Sequence, residues 1–452
     1  MHSLKQFHTP KDTNQFLRVL LIGFIILLLQ IPIGLLHGVI FERQQSRDEA
    51  VEDVTSKWGE SQSLIGPVLV VPFKRMLKER RENDKTVLVE ATDHAIFLPE
   101  TLTVTTDVRS EVRYRGIYDV PVYRADVNLT GTFGALDFSD WDVKNHHIMW
   151  DKARLSIRIS DVQALVDSSD LQWGDTALEL EPGSHHLGNP GVHAKVQQAL
   201  LTNDEIPFTL TLTLNGSEHF SVAPIGSQTE FSLTSNWPDP SFQGKWLPRD
   251  KVTPTSTGFD AHWSVNLLGR NYPHKWAGQS THEQSMSESL LQVTFLPPVD
   301  QYRMAFRSVK YEVLFLVMVF ITLWLFEVLS GIQIHAIQYI MVGVAMCLFY
   351  LLELSLAEHL GFGPAYAIAA LMVSLLVSGY CRAVLKTRAR AALVGTVLTL
   401  LYGFLYMLLV NQGYALLAGS LGLFGTLAVV MYLTRNVEWN TVGEHPAPHA
   451  SP

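Results

Sequence analysis

Five ionisable residues lie in or beside long apolar stretches: His37, Glu327, Glu353, Glu358 and His359. Charge inside a bilayer is costly, so such residues are suspected proton or ion relays. Glu327 lies within a turn of one end of an apolar run. Glu353 lies within a turn or so of the end of the next, with Glu358 and His359 just outside it. His37 sits near the end of the first run. From an interface a side chain can also snorkel to water, which would leave these groups with no coupling role. Glu353 and Glu327 are the best-placed candidates.

Histidine is frequent elsewhere. "SHHLGNPGVH" sets His185, His186 and His193 around a glycine-rich turn, a weak candidate for metal. Zinc usually needs a tighter His/Cys/carboxylate constellation, and a solvated loop explains the cluster equally well. "NHHIMW" at residues 145–150 is weaker still. No H-E-x-x-H, G-x-S-x-G, Walker A or G-x-G-x-x-G occurs. The only cysteines, Cys347 and Cys381, fall in apolar segments, so the polar part has neither a thiol nucleophile nor a disulfide. No cofactor and no enzymatic activity are expected.

"SLTSNWPDPSF" offers Asn236, Trp237, Pro238, Pro240 and Phe242 as a surface or structural loop, with Asp239 its only acid. Phe231 and Leu233 alternate like a strand before it. Proline cannot donate to a ladder, so Pro238 and Pro240 stop that strand. Asn236 suits a turn, and Trp237 and Phe242 can pin it to a sheet.

The elements that must position these residues follow from hydropathy. Only 17% of the 452 residues are charged, against about 25% in a soluble chain. The deficit is confined to the first forty residues and to everything after about residue 313. Residues 17–40 are long enough to cross a hydrocarbon core of about 30 Å. No small-residue cleavage pattern follows, which predicts an uncleaved anchor rather than a signal peptide. Five further runs lie at 311–329, 337–356, 364–380, 392–410 and 414–433. Six transmembrane helices are therefore expected, one N-terminal and five C-terminal. Ala370, Ser374 and Ser378 form a small-residue ladder, as do Gly395, Thr399 and Gly403, which predicts closely packed helices.

Lys and Arg in short flanks set orientation. Lys5, Lys11 and Arg18 precede the first run, Arg382, Lys386, Arg388 and Arg390 occupy the loop before residue 392, and Arg435 lies in the tail. With six spans these share one side, so both termini are expected in the cytoplasm. Arg303, Arg307 and Lys310 point the other way, but they end a long translocated segment, where the rule is weak. The expected plan is a cytoplasmic N-terminus (1–16), a span (17–40), a periplasmic domain (41–305), a five-helix bundle (311–433) and a cytoplasmic tail (434–452).

The insert alternates with period two. Leu102, Val104, Val108, Val112 and Tyr114 share one face. Tyr123, Ala125, Val127, Leu129 and Phe133 form another, followed by Leu155, Ile157 and Ile159, then by Phe208, Leu210, Leu212 and Leu214. Such alternation marks half-buried strands. The fold class is thus a membrane protein, α + β, with a large antiparallel β-rich domain inserted after the first helix, as one sandwich or two. Residues 42–58 read as a polar continuation of the first helix, and 161–168 as a short one. A net charge of −9 without a basic tract excludes nucleic acid as a partner.

Several stretches resemble one family. They are "TSNWPDPSFQGKWLP", "PVDQYRMAFRSVKYEVLFL", "FEVLSGIQIHAIQYIMVG", "FYLLELSLAEHLGF" and "YLTRNVEW", with "LIGPVLVVP" and "FLPE" nearer the N-terminus. Together, and in this order, they resemble the CreD family of bacterial inner-membrane proteins, also called cell envelope integrity proteins. The resemblance covers nearly the whole chain; residues 1–14 and the tail after Trp439 are peripheral to it. It implies a Gram-negative inner membrane and a role in envelope integrity or stress, under a two-component system responsive to carbon source and cell-wall damage. It brings no catalytic residue. The expected partners are the lipid bilayer and an envelope component or protein in the periplasm. The alternatives are a transporter or lipid-handling protein using ionisable residues at helix ends and, less favoured, a membrane-tethered enzyme.

Overall fold

The structure, a computed structural model, describes residues 12–80, 86–141, 143–166, 170–184, 187, 190–201, 205–278, 282–295, 300–330 and 333–435. The helix α1 (Asp12–Trp58) comes first. The strands β1 (Gln62–Arg80), β2 (Thr86–Phe97), β3 (Thr101–Arg115), β4 (Tyr118–Phe133), β5 (Arg154–Ile159), β6 (Asp170–Trp173), β7 (Thr176–Leu178) and β8 (Leu180–Pro182) follow. Then come β9 (Gly191–Lys195), β10 (Ile206–Ser217), β11 (His219–Val222), β12 (Gln228–Ser235), β13 (Ser241–Gly244), β14 (Phe259–Asn266), β15 (Lys275–Ala277), the short helix α2 (His282–Ser287) and β16 (Leu291–Thr294). The last third is helical: α3 (Gln301–Lys310), α4 (Glu312–Ser330), α5 (Ala336–Leu360), α6 (Phe362–Val384), α7 (Arg388–Val410) and α8 (Ala415–Thr434).

Two compact units result. One combines Met1–Asp48 with Val299–Pro452, and the other is Glu49–Pro298. The second is a single β unit of two sheets. One sheet runs β13-β16-β11-β1-β5-β9-β8, with β2 on β1 and β15 on β2; the other runs β14-β12-β3-β4-β10-β6-β7. Most pairs are antiparallel, while β1–β11 and β3–β12 run parallel. Leu102, Val104, Leu129, Leu155, Ile157, Phe208, Leu210 and Leu214 are fully buried in one core shared by both sheets. The period-two faces thus lie inward. Val112 and Tyr114 continue the alternation of β3 but are exposed, because that end of the β3–β4 hairpin extends beyond the core. The stretch 42–58 does continue α1. The stretch around 161 forms only a short turn at Val162–Ala164, with the Asp161 carboxylate accepting from Gln163 N; residues 167–169 lie outside the described residues.

Among the described residues, α1, α5, α6, α7 and α8 are long and apolar enough to cross a membrane. The sixth expected span, 311–329, coincides with one helix. It corresponds to α4, joined to amphipathic α3 through a 45° bend at Tyr311; the pair counted as one span makes six. Asp300 caps α3, its carboxylate accepting from Tyr302 N and Arg303 N. The small-residue ladders do mark close approach: a Cβ on Gly395 would lie 2.3 Å from Ser378 Oγ.

Candidate functional site

Antiparallel packing of α1 along α3 and α4 orders the polar groups of the membrane unit. Arg18 pairs with Glu327. Gln30 Nε2 donates to Glu312 Oε2 over 3.2 Å. His37 meets the Phe306 ring edge-on at 5.1 Å. Arg43 lies 3.8 Å from Glu358, and Arg47 lies 3.6 Å from Asp300. At 1.5 Å rise per residue, Gln30 is about 18 Å from Arg18 and about 20 Å from Arg43 along the helix. It therefore lies near the middle of any hydrocarbon layer of about 30 Å that α1 crosses. Glu312, its hydrogen-bond partner, shares that depth.

Glu353 reaches the same region from α5. Its side chain is fully buried, and Ser308 Oγ donates to its Oε2 over 2.7 Å. Ser308 lies one turn before Glu312, across the bend between α3 and α4. Each carboxylate therefore accepts one hydrogen bond, and each keeps a buried Oε1 with no partner. Tyr350 lies within electrostatic reach of both carboxylates, Tyr366 and Tyr402 within reach of Glu353, and Cys347 within reach of Glu312. Tyr366 donates to the Tyr402 carbonyl over 2.7 Å, tying α6 to α7, while the Tyr402 hydroxyl is buried without a partner. Six helices thus supply one polar cluster: Gln30 from α1, Ser308 from α3, Glu312 from α4, Glu353 from α5, Tyr366 from α6 and Tyr402 from α7. On the α6–α7 face, Tyr366 and Tyr402 also line a groove of about 450 Å³, with Tyr406 and the small residues Ala370, Ser374 and Gly403.

The expected candidates divide. Glu353 does not snorkel. α5 runs on to Leu360, beyond the expected end, and the side chain turns inward to α3. Glu327 is also buried, but it is neutralised by Arg18 and accepts from the Tyr339 hydroxyl at 3.4 Å. Glu358 accepts from the Tyr302 hydroxyl at 3.1 Å and His359 is exposed. His37 is half-buried against Phe306. The hydropathy pattern hid Glu312, because it sits directly at the edge of an apolar run and reads as its end. Gln30, the lone amide in the first run, was the signal that could have found it.

The β unit uses its polar groups to hold its own fold. His193 is a buried strand residue, its Nδ1 at 2.8 Å from the Gly183 carbonyl and its Nε2 at 3.4 Å from Glu181. His185 and His186 lie outside the described residues. Among the described residues, no three His, Cys, Asp or Glu side chains gather to hold a metal. Asn236 extends the pairing of β12 past its end: Oδ1 accepts from Ser110 N at 2.7 Å and Nδ2 donates to Ser110 O at 3.1 Å. Trp237 Nε1 donates to the Asp239 carbonyl beyond Pro238, and Phe242, just past Pro240, packs on Phe259 and Trp263 at 5.8 Å each. A hydrogen bond from Lys275, with those from Ser139, holds the Asp137 carboxyl well below the usual carboxylate range.

Fold and site together define a multi-pass membrane protein with one inserted two-sheet β unit and a carboxylate cluster inside its helical bundle. The family model described as Inner membrane protein CreD matches residues 14–440. Inner membrane protein CreD of Escherichia coli (strain K12) is 34% identical over 416 residues, covering 92% of this chain and 91% of that protein. The chain belongs to the CreD family of inner membrane proteins.

Proposed function

We propose that the chain is a non-enzymatic inner-membrane protein that supports envelope integrity and the envelope stress response, with its β unit in the periplasm contacting an envelope component or protein partner. One observation carries this reading. The end of the β3–β4 hairpin extends past the shared core and leaves apolar side chains exposed. Tyr114 is 73% exposed, with Val112 and Ile117 also exposed. Exposed apolar surface of this kind is a mark of contact sites. Both termini are cytoplasmic in this account. The cationic loop between α6 and α7 supports that orientation through the positive-inside rule.

Orientation and contact are tested in one strain. Cys347 and Cys381 are buried and do not compete for label. A membrane-impermeant maleimide should label Tyr114→Cys in intact spheroplasts and Arg388→Cys only after lysis; the reverse pattern contradicts the topology. A photo-crosslinker at position 114 or 117 should give discrete adducts in living cells. Equal adducts from Asp175, on the β6–β7 turn, would count against a contact site on the hairpin.

A second reading, transport or lipid handling by the bundle, is favoured by the burial of Glu353 and Glu312. Under it, Gln at both Glu327 and Glu353 abolishes the envelope phenotype of the wild-type chain at normal membrane levels. An unaffected phenotype counts against it.

A further inference from the structure

We propose that Glu312 and Glu353 form a proton-binding site inside the bundle, at the bend between α3 and α4. This deepens the second reading by giving its polar cluster a ligand. Proton binding itself does not depend on anything being transported.

An ionised carboxylate accepts at about four positions across its two oxygens. Buried without a cation it is among the most expensive groups a protein can hold. Glu353 is 0% and Glu312 1% exposed, and each has one donor, Ser308 or Gln30. Five cations of the unit are engaged elsewhere. Arg18 pairs with Glu327, Arg43 with Glu358 and Arg47 with Asp300. Arg307 donates to the Leu408 and Leu409 carbonyls at the end of α7, and Lys310 lies over the Phe306 ring at 4.7 Å. Among the described residues, none of these cations pairs with Glu312 or Glu353.

The groups facing the two carboxylates from neighbouring elements are neutral: Gln30, Ser308, Cys347, Tyr350, Tyr366 and Tyr402. The missing positive charge is therefore a bound ion. Sodium needs several converging oxygens, whereas a proton needs only one free oxygen on each carboxyl. That is what the two Oε1 atoms present. The proton adds to Oε1 as an O–H bond and leaves to water when the site ionises; no other bond changes. The site sits at a broken helix near the middle of the membrane, where irregular backbone and coupling-ion sites coincide in transporters. Protonation neutralises both buried carboxylates beside the bend, so occupancy bears on how the bend packs.

The test uses the full chain in vesicles of phosphatidylethanolamine and phosphatidylglycerol. Infrared difference spectra between alkaline buffer and a near-neutral buffer in which exposed Asp and Glu stay ionised should show the carbonyl band of a protonated carboxyl. E312Q and E353Q should each remove part of it, and the double variant all of it. A band unchanged in the double variant overturns the site, as does one that follows sodium at fixed pH. The wild-type chain gives a second measurement that needs no variant. Dicyclohexylcarbodiimide, which attacks protonated carboxyls in apolar surroundings, should modify Glu353 or Glu312. Labelling should fall on the order of tenfold per pH unit above the site's midpoint. Adducts only on other carboxyls, or labelling independent of pH, refute the proposal. Spectra and labelling decide the site, while the variants' envelope phenotype decides only the second reading.

Discussion

Arg18→Ala strips most of the folded protein from the membrane, and adding Glu327→Gln to the same chain restores much of it. Glu327 is 7% exposed in α4, and Arg18 is the cation that neutralises it. Removing one partner of a buried pair costs about 3–5 kcal/mol, because the survivor stays buried and charged. Arg18 is itself 31% exposed, so the lower end of that range applies. Gln in place of Glu327 removes the stranded charge and can still accept from the Tyr339 hydroxyl. Accumulation in the membrane fraction and the thermal midpoint in detergent measure both effects. If the double variant is as poor as Arg18→Ala, the stranded charge of Glu327 is not the cause of the loss. The same logic separates this pair from the Glu312–Glu353 cluster, which has no cation to lose.

The second large effect lies in the β unit. Trp263→Ala should cost about 3–5 kcal/mol, the range for emptying a large buried aromatic site. Trp263 is 1% exposed, stacks on Phe231 at 4.8 Å and receives Phe242 edge-on. Its Nε1 donates to the Trp246 carbonyl at 3.3 Å. Trp263→Phe keeps much of the packing but leaves that carbonyl unpaired, at about 1–3 kcal/mol. Trp237→Ala, on the half-buried loop nearby, should cost less than Trp263→Ala. Protease resistance of the β unit in membrane vesicles ranks the three. Equal resistance in Trp263→Ala and wild type would place the aromatic cluster outside the core.

The strands were legible because burial on one face imposes period two, and Phe208, Leu210, Leu212 and Leu214 show it without interruption. The polar continuation of α1 to Trp58 was legible from its composition. Which residues cover a face is not carried by the period, so Val112 and Tyr114 continue the pattern of β3 into solvent. The parallel β3–β12 pair joins segments more than a hundred residues apart, and no local signal fixes it. The carboxylate site was half legible. Glu353 stood out within an apolar run. Its depth did not, because depth depends on the register of α1 against the α3–α4 bend, a tertiary fact. Glu312 was hidden because it sits at the edge of an apolar run and reads as its end.

Leakage under wall damage is the decisive test of the proposed role in envelope integrity. A host lacking the chain is challenged with a wall-damaging antibiotic, and uptake of an impermeant dye is followed with and without the wild-type chain restored. Dye should enter faster without the chain, and entry should return to normal when the chain is restored. Equal uptake in both strains would contradict that role.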